Sequence, residues 1–209
     1  MADPGLAFDE RLHSLLQTLA EEGNRRAAEG FSGMVGSVVT IPRTDVRLVP
    51  LTEIAVLLGG SEQEAVGIYL QANGEVAGHM MLVLPYLKAL ELVDLLLGLP
   101  PGTSRQLNSL ERSALAEVGN LTGTFFLNAV ASRTGLSTRP SPPAVVVDML
   151  GAIIDIIVAA SGGVSDQVLM FQSRFLREGR DVEADFWVIP DAATLQALAE
   201  AGSADGPGG

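Results

Sequence analysis

The sequence predicts an α/β (α+β) fold of two pseudo-symmetric halves, in which an antiparallel sheet is covered by long helices. Three observations lead there. The same order of elements runs twice along the chain: long helix, extended stretch, short apolar helix, hairpin, helix. Glu21-Glu22-Gly23-Asn24 returns as Glu117-Val118-Gly119-Asn120 at an offset of 96, and Val83-Leu84-Pro85 returns as Val188-Ile189-Pro190 at an offset of 105. Each half also carries two segments that alternate apolar and polar residues around a turn signal, as half-buried strands do. An antiparallel sheet with helices on it buries both amphipathic sets. The second half has about nine more residues, which a surface loop tolerates.

The elements follow in order. Leu12, Leu15, Leu16 and Leu19 recur at helical spacing and predict a helix from Leu6 to about Val35. Ser37 to Pro50 reads as extended, and Leu51 to Leu58 as a short apolar helix. Val66, Ile68 and Leu70 share one strand face; Val76, Met80, Leu82 and Leu84 share the next, with Asn73-Gly74 between them as the expected turn because both residues tolerate positive φ. Pro85 opens a helix to about Leu97. The Pro-Pro-Gly stretch within residues 99–108 reads as a linker. Asn108 and Glu111 have the spacing of a capping box, for a helix from Ser109 to Thr134 closed by Gly135. Ser141-Pro142-Pro143 leads into a strand from Ala144 to Val147, and a helical piece runs from Leu150 to Ala160. A second hairpin turns at Glu178-Gly179, with Val182, Ala184, Phe186 and Val188 alternating after it. Pro190 then opens a last helix to about Ala201. These boundaries give one domain over residues 6–202, built of repeats 6–98 and 109–202, with residues 203–209 as a flexible tail rich in Gly and small residues.

Composition narrows the function. Of 209 residues, 13 are Lys or Arg and 25 are Asp or Glu, a net charge of −12, which argues against nucleic-acid binding and against an anionic membrane surface. The absence of Cys removes disulfides and thiolate chemistry, and two histidines, His13 and His79, do not make a metal centre. A Ser-His-Asp triad would have to use one of them, and neither lies near a Gly-x-Ser-x-Gly elbow. The mean hydropathy of +0.32 invites a search for membrane spans. The best stretch, Ala144 to Ala160, is short and holds Asp148 and Asp155, so it reads as buried core rather than a membrane insertion. No ligand cluster accompanies those two aspartates. The N-terminus lacks a signal peptide's basic start and apolar run, so a cytoplasmic location is expected.

The chemistry gathers at Glu117 and Asn120. Residues three apart share a helix face. Ser113, Thr124 and Asn128 extend the stripe, while Leu115, Val118, Phe125, Phe126 and Ala129 take the other side. The pair should therefore point out of the core. Gly119 costs about 1 kcal/mol relative to Ala inside a helix, which suggests a close approach there. A carboxamide is a poor base, but it can hold a water in a fixed orientation, and a carboxylate beside it can anchor a cation. Such a pair suits a group that completes another protein's active site, as a glutamine orients water in GTPases. Glu21 and Asn24 repeat the pattern in the first half.

Ser113 through Asn120 (SALAEVGN), with Leu127-Asn128-Ala129 on the same helix, resembles the CheC family of bacterial chemotaxis phosphatases. Ser141-Pro142-Pro143 and Val147-Asp148-Met149 support the likeness, which extends over nearly the whole chain. The family's fold is an α/β arrangement of two pseudo-symmetric halves, in agreement with the repeat. The resemblance implies a phosphatase acting on the aspartyl phosphate of the response regulator CheY. Asn120 would orient the attacking water and Glu117 would pair with the regulator's active-site lysine; Glu21 and Asn24 would form a second such site. The Mg²⁺ of that reaction belongs to CheY, so no cofactor of the chain's own is implied. Asp148 lies where family members meet the deamidase CheD; by its position it also suits an N-cap for the helix starting near Leu150, and the two roles are compatible. The alternative to an enzyme is a non-catalytic adaptor that docks CheY or CheD, in chemotaxis or in the flagellar switch.

The two candidate sites are expected to be unequal. Around Glu21 and Asn24 the chain has Glu22 in place of an apolar residue, and Arg25 and Arg26 where the family has small apolar residues. Glu22 and Arg26 are spaced to pair on the surface. Their bulk should crowd a partner approaching Gly23, leaving the first site inert or retuned for a more acidic regulator.

Overall fold

The computed structural model describes residues 10–42, 44–160 and 167–204. The helices are α1 (Glu10–Val35), α2 (Leu51–Leu57), α3 (Tyr86–Leu97), α4 (Ser109–Thr134), α5 (Leu150–Ala160) and α6 (Ala192–Ala204). The strands are β1 (Thr44–Pro50), β2 (Glu64–Gly74), β3 (Gly78–Pro85), β4 (Thr138–Pro140), β5 (Ala144–Met149), β6 (Gln167–Arg177) and β7 (Arg180–Pro190). The expected mixed fold and its antiparallel sheet are present. Residues 6–9 of the expected first helix and residues 205–209 of the expected tail lie outside the described residues, whereas Ser203 and Ala204 belong to α6.

The sheet runs β1-β6-β7-β3-β2-β4, with β5 pairing β2 beside β4, and every pairing is antiparallel. The pseudo-symmetry axis falls between β3 and β7. The halves exchange strands across it: β1 of the first half pairs with β6 of the second, and β5 of the second pairs with β2 of the first. Helices cover both faces. On one face Leu16 and Leu19 of α1, Leu92 of α3, Leu115 and Val118 of α4 and Leu198 of α6 pack on Ile68, Leu70, Leu82, Phe171 and Phe186. Phe126 meets Phe171 and Phe186 edge-on, at ring-centre distances of 5.2 and 5.4 Å. The other core is smaller. Ile54 of α2 and Ile153 and Ile157 of α5 close over Met81, Val83, Met170 and Trp187. His79 lies on that face, its Nδ1 2.7 Å from the Tyr69 hydroxyl, and burial holds its pKa below the usual histidine range.

Three local expectations are corrected. The first hairpin does not turn at Asn73-Gly74. Those residues stay in β2, paired to Arg139 and Thr138 of β4, a strand the sequence reading missed, and the chain turns through residues 75–77. Gly74 is needed at φ +138 for another reason: a Cβ there would lie 2.7 Å from the Ser137 carbonyl oxygen. The capping box does not form, since Asn108 makes no side-chain cap and Glu111 Oε2 is buried with no partner among the described residues. Pro190 ends β7 and it is Asp191 that caps α6, its Oδ1 accepting from Thr194 N at 2.7 Å. The expected linker, residues 99–108, joins α3 to α4 without helix or strand and is itself tied down. Buried Asp94 accepts from Thr103 N at 3.0 Å and Ser104 N at 2.8 Å, and Arg180 donates to the Leu99 carbonyl at 2.9 Å. The second hairpin turns where the sequence put it, with Glu178 at φ 50 and Gly179 at φ 78, as a two-residue turn of this hand requires.

Candidate functional site

Helix α4 displays its polar stripe as its periodicity demands. Ser113, Glu117 and Asn128 are exposed, Asn120 and Thr124 are half-buried, and Leu115, Val118, Phe126 and Ala129 are buried; Phe125 is half-buried against α1. Neither Glu117 nor Asn120 has a side-chain hydrogen bond or ion pair within the described residues. Both polar groups therefore meet solvent with their bonding capacity unspent.

The close approach signalled by Gly119 comes from inside. A Cβ on Gly119 would lie 2.4 Å from Ile68 Cγ2, and one on Gly123 would lie 3.2 Å from Leu70 Cδ2. The two glycines let α4 settle on β2, and this fixes the height of Glu117 and Asn120 above the sheet. Gly23 is likewise buried, facing the α4 backbone at Phe126, with 3.5 Å from an ideal Cβ to Phe126 Cα. The close approach at Gly23 is therefore internal, as it is at Gly119. The Glu22–Arg26 pair does form, at 2.9 Å.

The first site differs from the second in its bonding. Glu21 accepts a hydrogen bond from Gln17 Nε2 at 2.9 Å, and Gln17 also donates to the Thr44 carbonyl at 2.8 Å. Asn24 Nδ2 donates to Thr44 Oγ1 and, at 3.2 Å, to Ser173 Oγ. The two hydroxyls lie 3.3 Å apart, and both residues are buried. Arg25 pairs with Glu29 at 3.6 Å on the surface. Beside Asn24 runs an open groove of about 710 Å³ between α1 and the 38–42 segment, walled by Ala28, Ser32, Val39 and Ile41. The structure thus brings Glu21 and Asn24 together on α1, and Glu117 and Asn120 together on α4, as two separate surfaces. Thr44 and Ser173 were invisible to local sequence reading because 129 residues separate them. Aligning the two halves could have found them, since each polar residue stands where the other half has an apolar one.

Asp148 is exposed at the end of β5 and does not cap α5. Its Oδ1 accepts from Met149 N at 2.7 Å, while the first amides of α5 are met by main-chain carbonyls, Leu150 N to Gln63 O at 2.8 Å and Gly151 N to Ser61 O at 2.9 Å. The α2–β2 loop has taken over the capping role assigned to Asp148. No helix of the described residues is long and apolar enough to cross a membrane.

Comparison with known proteins agrees with this architecture. No family model matches the chain. Its sequence is similar to the CheY-P phosphatase CheC of Bacillus subtilis (strain 168), 23% identical over 193 residues that span 90% of this chain and 92% of that protein. Its fold is similar to that of Thermotoga maritima FliY, with a TM-score of 0.73 and 18% identity over 95% of this chain and 99% of that one. It also matches a chain of the FliM–SpeE complex from H. pylori, with a TM-score of 0.69 and 14% identity over 95% of this chain and 98% of that one. By sequence the chain resembles the CheC phosphatases of chemotaxis over most of its length, and by fold it is a two-half α/β protein of the FliY and FliM kind.

Proposed function

We propose that this chain accelerates hydrolysis of the aspartyl phosphate on a CheY-type response regulator, with Glu117 and Asn120 as its catalytic residues. The observation that carries the proposal is the pair itself: two polar side chains, unengaged within the described residues, on a helix seated against the sheet through Gly119 and Gly123. The likeness to a CheY-P phosphatase supplies the substrate class. In this reading Asn120 enters the regulator's site and holds water in line with the phosphorus, and Glu117 pairs with the regulator's lysine and so places the asparagine. The regulator brings its own Mg²⁺. Positioning lowers the entropic part of the barrier, and a hundredfold acceleration needs only ~2.7 kcal/mol. The setting would be the cytoplasm, where such regulators work.

The test is loss of phosphate from phospho-CheY with and without the protein. Asn120→Ala should remove most of the acceleration and leave the fold intact, because its side chain makes no hydrogen bond among the described residues. Hydrolysis at the parent rate with Asn120 and Asn24 both replaced by Ala would refute the water-positioning role.

A docking role without hydrolysis has its own support in the fold shared with FliY and FliM. Asp148 is the contact it would use toward a CheD-type partner, since its carboxylate stands exposed beside the 56% exposed Met149. Binding of phospho-CheY with no change in its half-life selects this reading. Loss of CheD capture in Asp148→Ala, with CheY hydrolysis unchanged, would identify the contact.

A further inference from the structure

We infer that Thr44 and Ser173 are positioning residues that lock the first site, holding the Asn24 carboxamide away from the chemistry that Asn120 is free to perform. The inference rests on the phosphatase reading and assigns the regulation of its second copy. Both Asn24 bonds run inward from Nδ2, to the hydroxyls of Thr44 on β1 and Ser173 on β6, residues only 3% and 6% exposed. Thr44 and Ser173 face each other in the β1–β6 register, so the two hydroxyls form one fixed cradle rather than two independent contacts.

The second half lacks this cradle. Pro50 pairs with Gln167 where β1 ends, as Met149 pairs with Glu64 where β5 ends. Six positions back from each end, Thr44 corresponds to Pro143, and along the paired strands Ser173 corresponds to Leu70. An imino acid and an alkyl side chain offer no hydroxyl. Leu70 lies beneath Gly119 and Gly123, and Asn120, between them on α4, has no partner to release among the described residues. Asn24 must break two hydrogen bonds to reach a regulator's phosphoryl group, and each is worth enough that the pair should suppress the competent arrangement by about tenfold or more. The Gln17–Glu21 hydrogen bond adds a tether on the other member of the pair.

The test uses the full chain in a Glu117→Ala/Asn120→Ala background, where only the first site remains. Phosphate loss is followed from purified CheY phosphorylated in the presence of Mg²⁺. Thr44→Val with Ser173→Ala removes both acceptors and both members of the Thr44–Ser173 contact, keeps apolar groups of similar shape, and frees the half-buried Asn24 amide to turn to solvent. The expected result is a gain of about tenfold in hydrolysis, lost again on adding Asn24→Ala. No gain, a fall, or a gain that survives Asn24→Ala overturns the lock; a fall would mean that the cradle pre-arranges Asn24 for catalysis. If the parent protein does not accelerate hydrolysis at all, the phosphatase reading fails by itself and the lock is read by NMR. The Asn24 side-chain amide hydrogens should exchange with solvent about tenfold more slowly than those of Asn120, a protection lost in Thr44→Val/Ser173→Ala. Equal exchange in the parent overturns it.

Discussion

Gly119→Ala sets two effects of known sign against each other. In an open helical position, Ala in place of Gly stabilises by about 1 kcal/mol. At Gly119 the added methyl would sit 2.4 Å from Ile68 Cγ2, well inside the roughly 3.5–4.0 Å at which carbons rest. Ile68 cannot swing aside: it is β-branched and therefore stiff, fully buried, and held in β2 between β3 and β5. The helix must rise instead, and overpacking of this kind costs about 1–3 kcal/mol. The net expectation is a loss of about 0–2 kcal/mol, or a few degrees in melting midpoint at roughly 2–4 °C per kcal/mol. Gly33→Ala on α1 is the control, because a Cβ there meets nothing within 4 Å. Thermal denaturation followed by circular dichroism compares the two. A Gly119→Ala protein stabilised as much as Gly33→Ala would refute the argument that this glycine sets the height of α4. Under the phosphatase reading the same lift displaces Glu117 and Asn120, and a misplacement of about 1 Å can cost about a hundredfold in rate. Hydrolysis should therefore fall by more than the stability does.

Four further outcomes are expected. Gly33→Ala should itself raise stability by about 0.5–1 kcal/mol, measured in urea. Asp94→Ala strands the Thr103 and Ser104 amides and should cost about 2–4 kcal/mol, with faster hydrogen exchange confined first to residues 99–108. Burial pushes the Asp185 carboxyl up to about 6 from an ordinary value of 3.8, so the folded state holds its proton more tightly than the unfolded chain does. Stability from this group is thus present below the unfolded value and lost as pH rises through 6; Asp185→Asn should stabilise the protein at pH 7.5 by up to about 3 kcal/mol and lose that advantage by pH 3.5, as read from denaturation midpoints across pH. Finally, with a net charge of −12 the protein should leave random duplex DNA unshifted at physiological salt, and a salt-sensitive gel shift at micromolar protein would count against that.

What was legible in the sequence was what repeats or alternates. The bounds of α4 and α5, the Glu178-Gly179 turn and the outward face of Glu117 and Asn120 all followed from period and punctuation. Two of the misreadings share one cause, a local signal outvoted by a distant strand or loop. Asn73-Gly74 has the composition of a turn, yet β4, more than 60 residues on, holds it straight. Asp148 has the position of a cap, yet the carbonyls of Ser61 and Gln63 already satisfy the helix. Gly23 and Gly119 were rightly singled out as sites of close approach, but the sequence does not say from which side, and in both cases it is the protein's own interior. The asymmetry of the two sites was expected from charges around Asn24; the structure adds a different source, hydroxyls beneath it.

The exchange of strands between the halves governs the order in which the molecule can be built. Strand β1 finds its neighbour only when β6 exists, about 120 residues later. At ~5–20 residues per second on the ribosome, that is a wait of roughly 6–25 seconds during which Val46 and Val49 have no sheet to join. Strand β2 and its hairpin mate β3 are likewise made long before β5 and β7 arrive to flank them. Neither repeat therefore closes a sheet by its own synthesis. A chain ending in the 99–108 segment would hold a β2–β3 hairpin with both edges unpaired, and the two halves, expressed as separate pieces, should assemble the full sheet only in each other's presence.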